Sequence, residues 1–209
     1  MFLKQVDEIL QKEKSTYTID ELLKHFDSSS IIVCLFLATI ITSLPLPPWG
    51  GGFETIPFGG LCIFLALQGL FGLNQVYLPS SLKTWKIDIS FIQKSKSVKD
   101  ILSWIKSKAK ENRYEWVFNP ITEKIMYFLV IGNALLMMIP IIFTNGIPSQ
   151  CITLMSLAWL LYDGLFYFIM VLMSSIFILV YIFLFIAFGK YLYYIRKNGF
   201  WKFWKNIRK

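Results

Sequence analysis

Charge in this chain is confined to three stretches, and that confinement limits what it can fold into more than any other feature. Four of the twenty-one Lys and Arg lie in residues 1–27, ten in 79–124 and seven in 190–209, and none lies elsewhere. Eleven of the thirteen acids keep to the first two stretches, which leaves only Glu54 and Asp163 in the apolar remainder. A basic soluble domain scatters its charge over its surface. A chain in a bilayer cannot, because an ionised side chain at the bilayer centre costs about 2.5–3.5 kcal/mol. The net charge of +8 therefore points to anionic lipids as the partner, with no role for nucleic acid. The chain is 56% hydrophobic and 16% charged, against roughly 25% charged in an average soluble domain. It reads as an all-α integral membrane protein.

The uncharged runs set the organisation of a single membrane domain over residues 1–209. An N-terminal amphipathic cytoplasmic segment (1–30) precedes a first membrane hairpin (31–78), in which Ile31 to Leu44 is stopped by Pro45, Pro47 and Pro48. That run is short for a crossing, which needs about 20 apolar residues. Gly50 to Gly52 and Pro57 make the turn irregular, and a second uncharged run covers Phe58 to Leu78. A basic linker follows (79–124). Residues 125–189 then form a second hairpin, broken at Pro140, Asn145, Gly146 and Pro148, and a long C-terminal membrane helix. A basic aromatic tail (190–209) completes the chain.

An offset of 95 residues places Pro45 on Pro140, Gly51 on Gly146, and Gln68-Gly69-Leu70-Phe71 on Asp163-Gly164-Leu165-Phe166. The expected fold is thus two pseudo-repeated helical hairpins, each interrupted by Pro and Gly, the sequence pointer to a midplane site in transporters. The positive-inside rule places linker, tail and N-terminus in the cytoplasm. Three plain spans in residues 125–189 break the even parity this requires, and a re-entrant hairpin at Pro140 to Pro148 is the expected remedy.

Two amphipathic interfacial helices are expected outside the hairpins. Thr18 and Glu21 have capping-box spacing before Ile19 to Phe26. Ser97 can cap a second helix with Val98, Ile101, Leu102 and Ile105 on one side and Lys99, Lys106 and Lys110 on the other. With Trp104 beside its stripe, that helix suits an anionic membrane surface. Trp201, Lys202 and Trp204 give the tail the composition of an interfacial anchor.

Little in the sequence supports chemistry. Cys34, Cys62 and Cys151 show no metal-ligand or disulfide spacing, and His25, the single histidine, has no nucleophile motif beside it. No phosphate loop, nucleophile elbow or zinc-protease motif occurs, so neither an enzyme nor a cofactor or metal is expected. The candidate polar membrane site is Gln68, Asp163 and Glu54. Asp163 either faces a cavity or proton path, or sits at a wet interface where it costs little. Glu54 lies in a Gly/Pro-rich turn that is either wet or functional. Gln68 either pairs with Asp163 across a pseudo-symmetric interface or bonds between helices. The hairpin turns either present helix N-termini to an anionic group at membrane depth or are plain extramembrane turns.

The run LPLPPWGGGFETIPFGGLCIFLALQGLFGLNQVYLP (Leu44 to Pro79) resembles the signature of the ExoD family of bacterial exopolysaccharide-synthesis proteins. The resemblance continues in IPIIFTNGIPS (Ile139 to Ser149), in YDGL (Tyr162 to Leu165) and in the order of parts over residues 18–190. The triple glycine with Phe53 and Glu54 departs from it. The resemblance implies a multi-pass inner-membrane protein linked to exopolysaccharide synthesis, and supplies no catalytic residues. Handling or transport of a lipid-linked saccharide or phosphate precursor is the leading expectation. The alternatives are a proton- or ion-coupled transporter using Asp163, and an assembly factor for the synthesis enzymes.

Overall fold

The computed structural model describes Gln5, Glu8, Ile9 and residues 14–26, 30–43, 55–73, 75–88, 90, 103, 107, 113–139 and 146–198. Among the described residues the helices of seven residues or more are α1 (Ile19–His25), α2 (Ser30–Ser43), α3 (Thr55–Leu70), α4 (Pro120–Met137), α5 (Gly146–Leu160) and α6 (Gly164–Asn198), with short turns of helix at Ser80–Lys83 and Glu115–Val117. α4 and α6 are long and apolar enough to cross a membrane. Two three-residue strands, β1 (Thr16–Thr18) and β2 (Lys86–Asp88), pair antiparallel, a ribbon that the all-helical expectation did not include.

Local chemistry explains several helix ends. α1 starts on the expected capping box: the Thr18 hydroxyl accepts from the Glu21 N–H at 3.2 Å and the Glu21 carboxylate from the Thr18 N–H at 3.1 Å. α4 begins upstream of the uncharged run because Asn119 caps it, accepting from Ile121 and Thr122 N–H groups at 2.9 and 3.1 Å, and Pro120 fills its first position. α3 ends at Leu70, well before the uncharged run does at Leu78. The Gly72 N–H turns back to the Gly69 carbonyl at 2.9 Å, with Gly72 left-handed at φ 74°, a conformation that favours glycine. Pro57 and Pro148 lie in the first turns of α3 and α5, where a missing N–H removes no helical bond.

α2, α3, α4 and α5 form a bundle in which the main partners come from different hairpins. α2 packs chiefly on α5, and α3 on α4. α3 and α4 run antiparallel, since Thr55 Oγ1 donates to the Met137 carbonyl at 2.8 Å at one end and Gly69 meets the Tyr127 ring at the other. Leu35, Cys62, Leu65, Met126, Val130, Ile152 and Met155 are buried between the helices. Polar groups join them too, with Thr153 Oγ1 donating to Thr39 Oγ1 at 2.8 Å and Asn133 Nδ2 to Ser174 Oγ at 2.6 Å.

Each hairpin is closed on the same face of the bundle. The Val76 N–H reaches Ser30 Oγ at 3.3 Å, joining the residues after α3 to the start of α2. β1 and β2, which flank that hairpin in sequence, pair there. Arg113, before α4, meets Asp163, after α5. Gly69 on Tyr127 then brings the closed ends of the two hairpins level.

Candidate functional site

Asp163 sits in the three-residue break between α5 and α6, on that closed face. Tyr162 takes the left-handed φ of 52° to make the break. Gly164 fits it because an added Cβ would lie 2.7 and 2.8 Å from the carbonyl oxygens of Tyr114 and Arg113. The Gly164 N–H donates to the Arg113 carbonyl at 2.7 Å. So the YDGL run is a junction: a left-handed residue, an acid, and a glycine pressed on a second strand of backbone.

The acid has two jobs in that junction. Its Oδ1 accepts from the Phe166 N–H at 3.1 Å, which makes Asp163 the N-cap of α6. Its carboxylate also takes three hydrogen bonds from Arg113: Nε to Oδ1 at 3.0 Å, and Nη2 to Oδ1 and Oδ2 at 2.8 and 2.9 Å. The Asp163 side chain is 4% exposed and that of Arg113 31%. Desolvating a carboxylate this far requires a partner of opposite charge, and guanidinium supplies one with matched geometry. The rings of Phe118, Trp159, Tyr162 and Tyr167 cluster beside the pair, Phe118 to Trp159 at 5.1 Å and Trp159 to Tyr167 at 5.2 Å.

Gln68 does not meet Asp163. Its amide grips the backbone of Tyr77, Oε1 accepting from the N–H at 2.6 Å and Nε2 donating to the carbonyl at 3.1 Å. Of the two alternatives for Gln68, pairing with Asp163 or a bond between helices, neither forms as such: two separate clamps each fasten a non-helical segment to the closed face. The glycines that follow play matching parts. An added Cβ on Gly69 would lie 2.2–2.7 Å from the Tyr127 ring, as one on Gly164 would meet the backbone of Arg113 and Tyr114.

Sequence reasoning missed Arg113, one of ten basic residues in a linker read as solvated and interfacial. It also missed the neutral polar groups inside the bundle. Asn133, Ser156, Ser174, Thr39 and Thr153 are buried, and among the described residues Asn133 Oδ1 and Ser156 Oγ make no hydrogen bond. His25 places Nε2 3.6 Å from a Glu8 carboxylate oxygen, away from the junction. Glu54, Pro45, Pro47, Pro48, Pro140, Asn145, Trp104, Lys106, Trp201, Lys202 and Trp204 lie outside the described residues. So does the helix expected after Ser97, apart from Ser103 and Ser107.

The closed face is rich in exposed aromatic residues, Phe71, Tyr77, Trp85, Tyr114 and Trp116 among them, next to the basic linker. Such a rim suits the boundary between hydrocarbon and head groups. The arrangement holds a neutralised ion pair, an aromatic shell and a polar core.

No solved structure matches the chain. It is 32% identical over 123 residues to an uncharacterized protein of Synechocystis sp., covering 57% of this chain and 56% of the relative, so the chain spans little more than half of that protein's length. The profile of the family described as "Exopolysaccharide synthesis, ExoD" matches residues 2–186. That match takes in both hairpins, the Arg113–Asp163 junction and most of α6, and the chain belongs to the ExoD family.

Proposed function

We propose that the protein is a multi-pass inner-membrane component of exopolysaccharide synthesis that handles a lipid-linked saccharide or phosphate precursor without chemistry of its own. Family membership supports the process, and the two apolar helices support the membrane. Exchange between the hairpins is the observation that carries the handling role. The 95-residue offset lays α2 on α4 and α3 on α5, and the chief packing pairs, α2 with α5 and α3 with α4, are unchanged by that exchange. Thr39 crosses Thr153, and the position equivalent to Thr39, Ala134, is crossed by Gly59, next to the equivalent of Thr153. Two interlocked, internally related hairpins around buried neutral polar groups are the architecture from which membrane carriers build a site between halves.

The aromatic rim, with Lys83, Lys86 and Lys124 beside it, offers cations and stacking surfaces where a phosphate head group with a sugar would lie. Gln68 and Asp163 act in this reading as positioning residues that hold the rim's backbone. Deleting the protein is expected to lower polysaccharide output and raise the membrane pool of lipid-linked precursor, with both restored by the wild-type chain. Unchanged output and precursor pool would overturn the reading.

A further inference from the structure

α6 leaves the closed face and does not return. Asp163 fixes its first turn there, and from that point it keeps step with α4. Tyr167 Oη donates to the Thr122 carbonyl at 2.8 Å, Asn133 Nδ2 to Ser174 Oγ at 2.6 Å, and a Cβ on Gly132 would lie 3.0 Å from Ile178 Cδ1. Residue numbers rise together, so the helices are parallel. α4 stops at Met137, whereas α6 continues to Asn198.

Length separates α6 from its neighbours. The bundle helices have 14, 16, 18 and 15 residues, hence lengths of about 21–27 Å, and of these four α4 alone reaches the lower end of what spans the roughly 30 Å hydrocarbon layer. The uncharged part of α6, residues 164–189, is about 39 Å long at the same rise, enough to cross with some tilt. Past the bundle it is exposed all round: Leu179 and Phe183 are 65% and 70% exposed, and Ile182, Leu184, Ile186 and Phe188 are exposed too. A helix that docks on a protein surface carries one apolar stripe, and one that is apolar on every side sits in lipid. Tyr191, Tyr193 and Tyr194 follow, and then Arg196 and Lys197, the sequence of an interfacial belt and its polar edge.

We propose that α6 carries the chain from one membrane surface to the other, its C-terminal half surrounded by acyl chains, so that the closed face and the end of α6 lie on opposite sides. The proposal rests on the membrane reading above. A hairpin whose two ends meet on one face adds either no crossing or two, and one more helix makes the count odd in either case. A re-entrant turn therefore does not restore the even parity that a cytoplasmic tail demands. Fourteen Lys and Arg lie in residues 1–124, four in 1–27 and ten in 79–124, against seven in residues 190–209 at the far end of α6 and beyond it. The excess puts the closed face in the cytoplasm and Arg196 and Lys197 at the outer surface.

Single cysteines at Thr84 and Tyr194, in a chain with Cys34, Cys62 and Cys151 replaced by alanine, are labelled with a membrane-impermeant maleimide in intact spheroplasts and in inverted vesicles. Tyr194→Cys is expected to label from outside only and Thr84→Cys from the vesicle exterior only. In parallel, alkaline phosphatase fused after Lys209 of the wild-type chain is expected to be active, which covers the case in which the cysteine-free chain fails to fold. Labelling of both positions from one side, or an inactive fusion beside a fluorescent green fluorescent protein fusion at the same point, would overturn the proposal. So would a crosslink between copies through Phe183→Cys with both ends on one side, which would assign the exposed half to a second copy. Release of the protein by alkaline carbonate would instead defeat the membrane reading itself.

Discussion

Asp163 and Arg113 stand fifty residues apart in sequence, yet their side chains share three hydrogen bonds of 2.8–3.0 Å and the Arg113 carbonyl takes the N–H of Gly164. The acid that looks most like an intramembrane titrating group is thus the fixed end of a structural clasp. Removing the cation alone leaves a desolvated carboxylate, and breaking such pairs costs about 3–5 kcal/mol. Arg113→Ala is expected to approach that range. Asp163→Asn is expected to cost less, because the freed guanidinium keeps partial access to water and the asparagine oxygen still caps α6. The double variant Arg113→Gln, Asp163→Asn is expected to recover part of the loss. Thermal unfolding of the four proteins in one detergent checks the order. A double variant no better than Arg113→Ala would contradict the clasp.

Gly164 and Gly69 give a sharper contrast. Gly164→Ala drives a Cβ to 2.7–2.8 Å from backbone oxygens that are themselves held by the junction, and overpacking of this kind costs about 1–3 kcal/mol. Gly69→Ala meets the buried ring of Tyr127, whose hydroxyl donates to Glu123 at 2.9 Å, so a similar loss is expected. Gly60, on the same helix as Gly69, has nothing within 4 Å of an added Cβ. Gly60→Ala is expected to stabilise by about 0.5–1 kcal/mol through helix propensity. Melting temperatures of the three variants in lipid nanodiscs test the pattern.

What the sequence made legible was local. Thr18 and Glu21 lie three residues apart, and both halves of their capping box form. α2 (Ser30–Ser43) falls on the apolar run Ile31 to Leu44. The start of α4 is equally legible in Asn119 and Pro120, and it lies upstream of the uncharged run because the helix carries Glu123 and Lys124 near its start. Arg113 was not available, since nothing near it distinguishes it from nine other basic residues and its partner is chosen by the tertiary fold. The same holds for Gln68: a glutamine at the end of an apolar helix shows that a partner is needed, and only the path of residues 71–79 shows that the partner is the backbone of Tyr77.

Inside the bundle, Asn133 and Ser174 join α4 to α6 by a 2.6 Å hydrogen bond, while the same Asn133 Nδ2 also donates to the Leu129 carbonyl at 2.8 Å. Polar contacts between membrane helices are weak on average, about 0.6 kcal/mol with an upper value near 1.7. The Asn133→Ala and Ser174→Ala cycle is therefore expected to give a coupling of about 0.5–1 kcal/mol, a tenth to a third of the loss expected at Arg113. Unfolding of the four chains in mixed micelles measures it. A coupling as large as the Arg113 effect would mean that the buried amide, and not the junction, holds α6 to the bundle.

The N-terminal helix carries the pH dependence outside the bilayer. The Glu21 carboxyl is held below its ordinary 4.5 first by the hydrogen bond from Lys14, at 2.7 Å, and next by the Thr18 N–H that closes the capping box. A depressed folded-state value means that the contribution is complete above the unfolded value and fades as pH falls through the lower, folded one. Lys24 runs the other way: its hydrogen bond from the ammonium to Asp20 raises it above 10.5, so that contribution is complete below the ordinary value and fades as pH rises through the raised one. α1 is therefore expected to keep constant protection between about pH 5 and 10 and to fray on either side. Because all three groups are exposed, the change stays within α1 and leaves global unfolding unmoved. Protection factors for the Leu22 to His25 amides, measured across this range in nanodiscs, give the two limbs. The Asp20 carboxyl, held below its ordinary 3.8 by the hydrogen bond from Lys24, fades on the same acid side, so Glu21→Gln is expected to shrink the acid limb and spare the alkaline one, and an acid limb unchanged by this substitution would assign it to Asp20 alone.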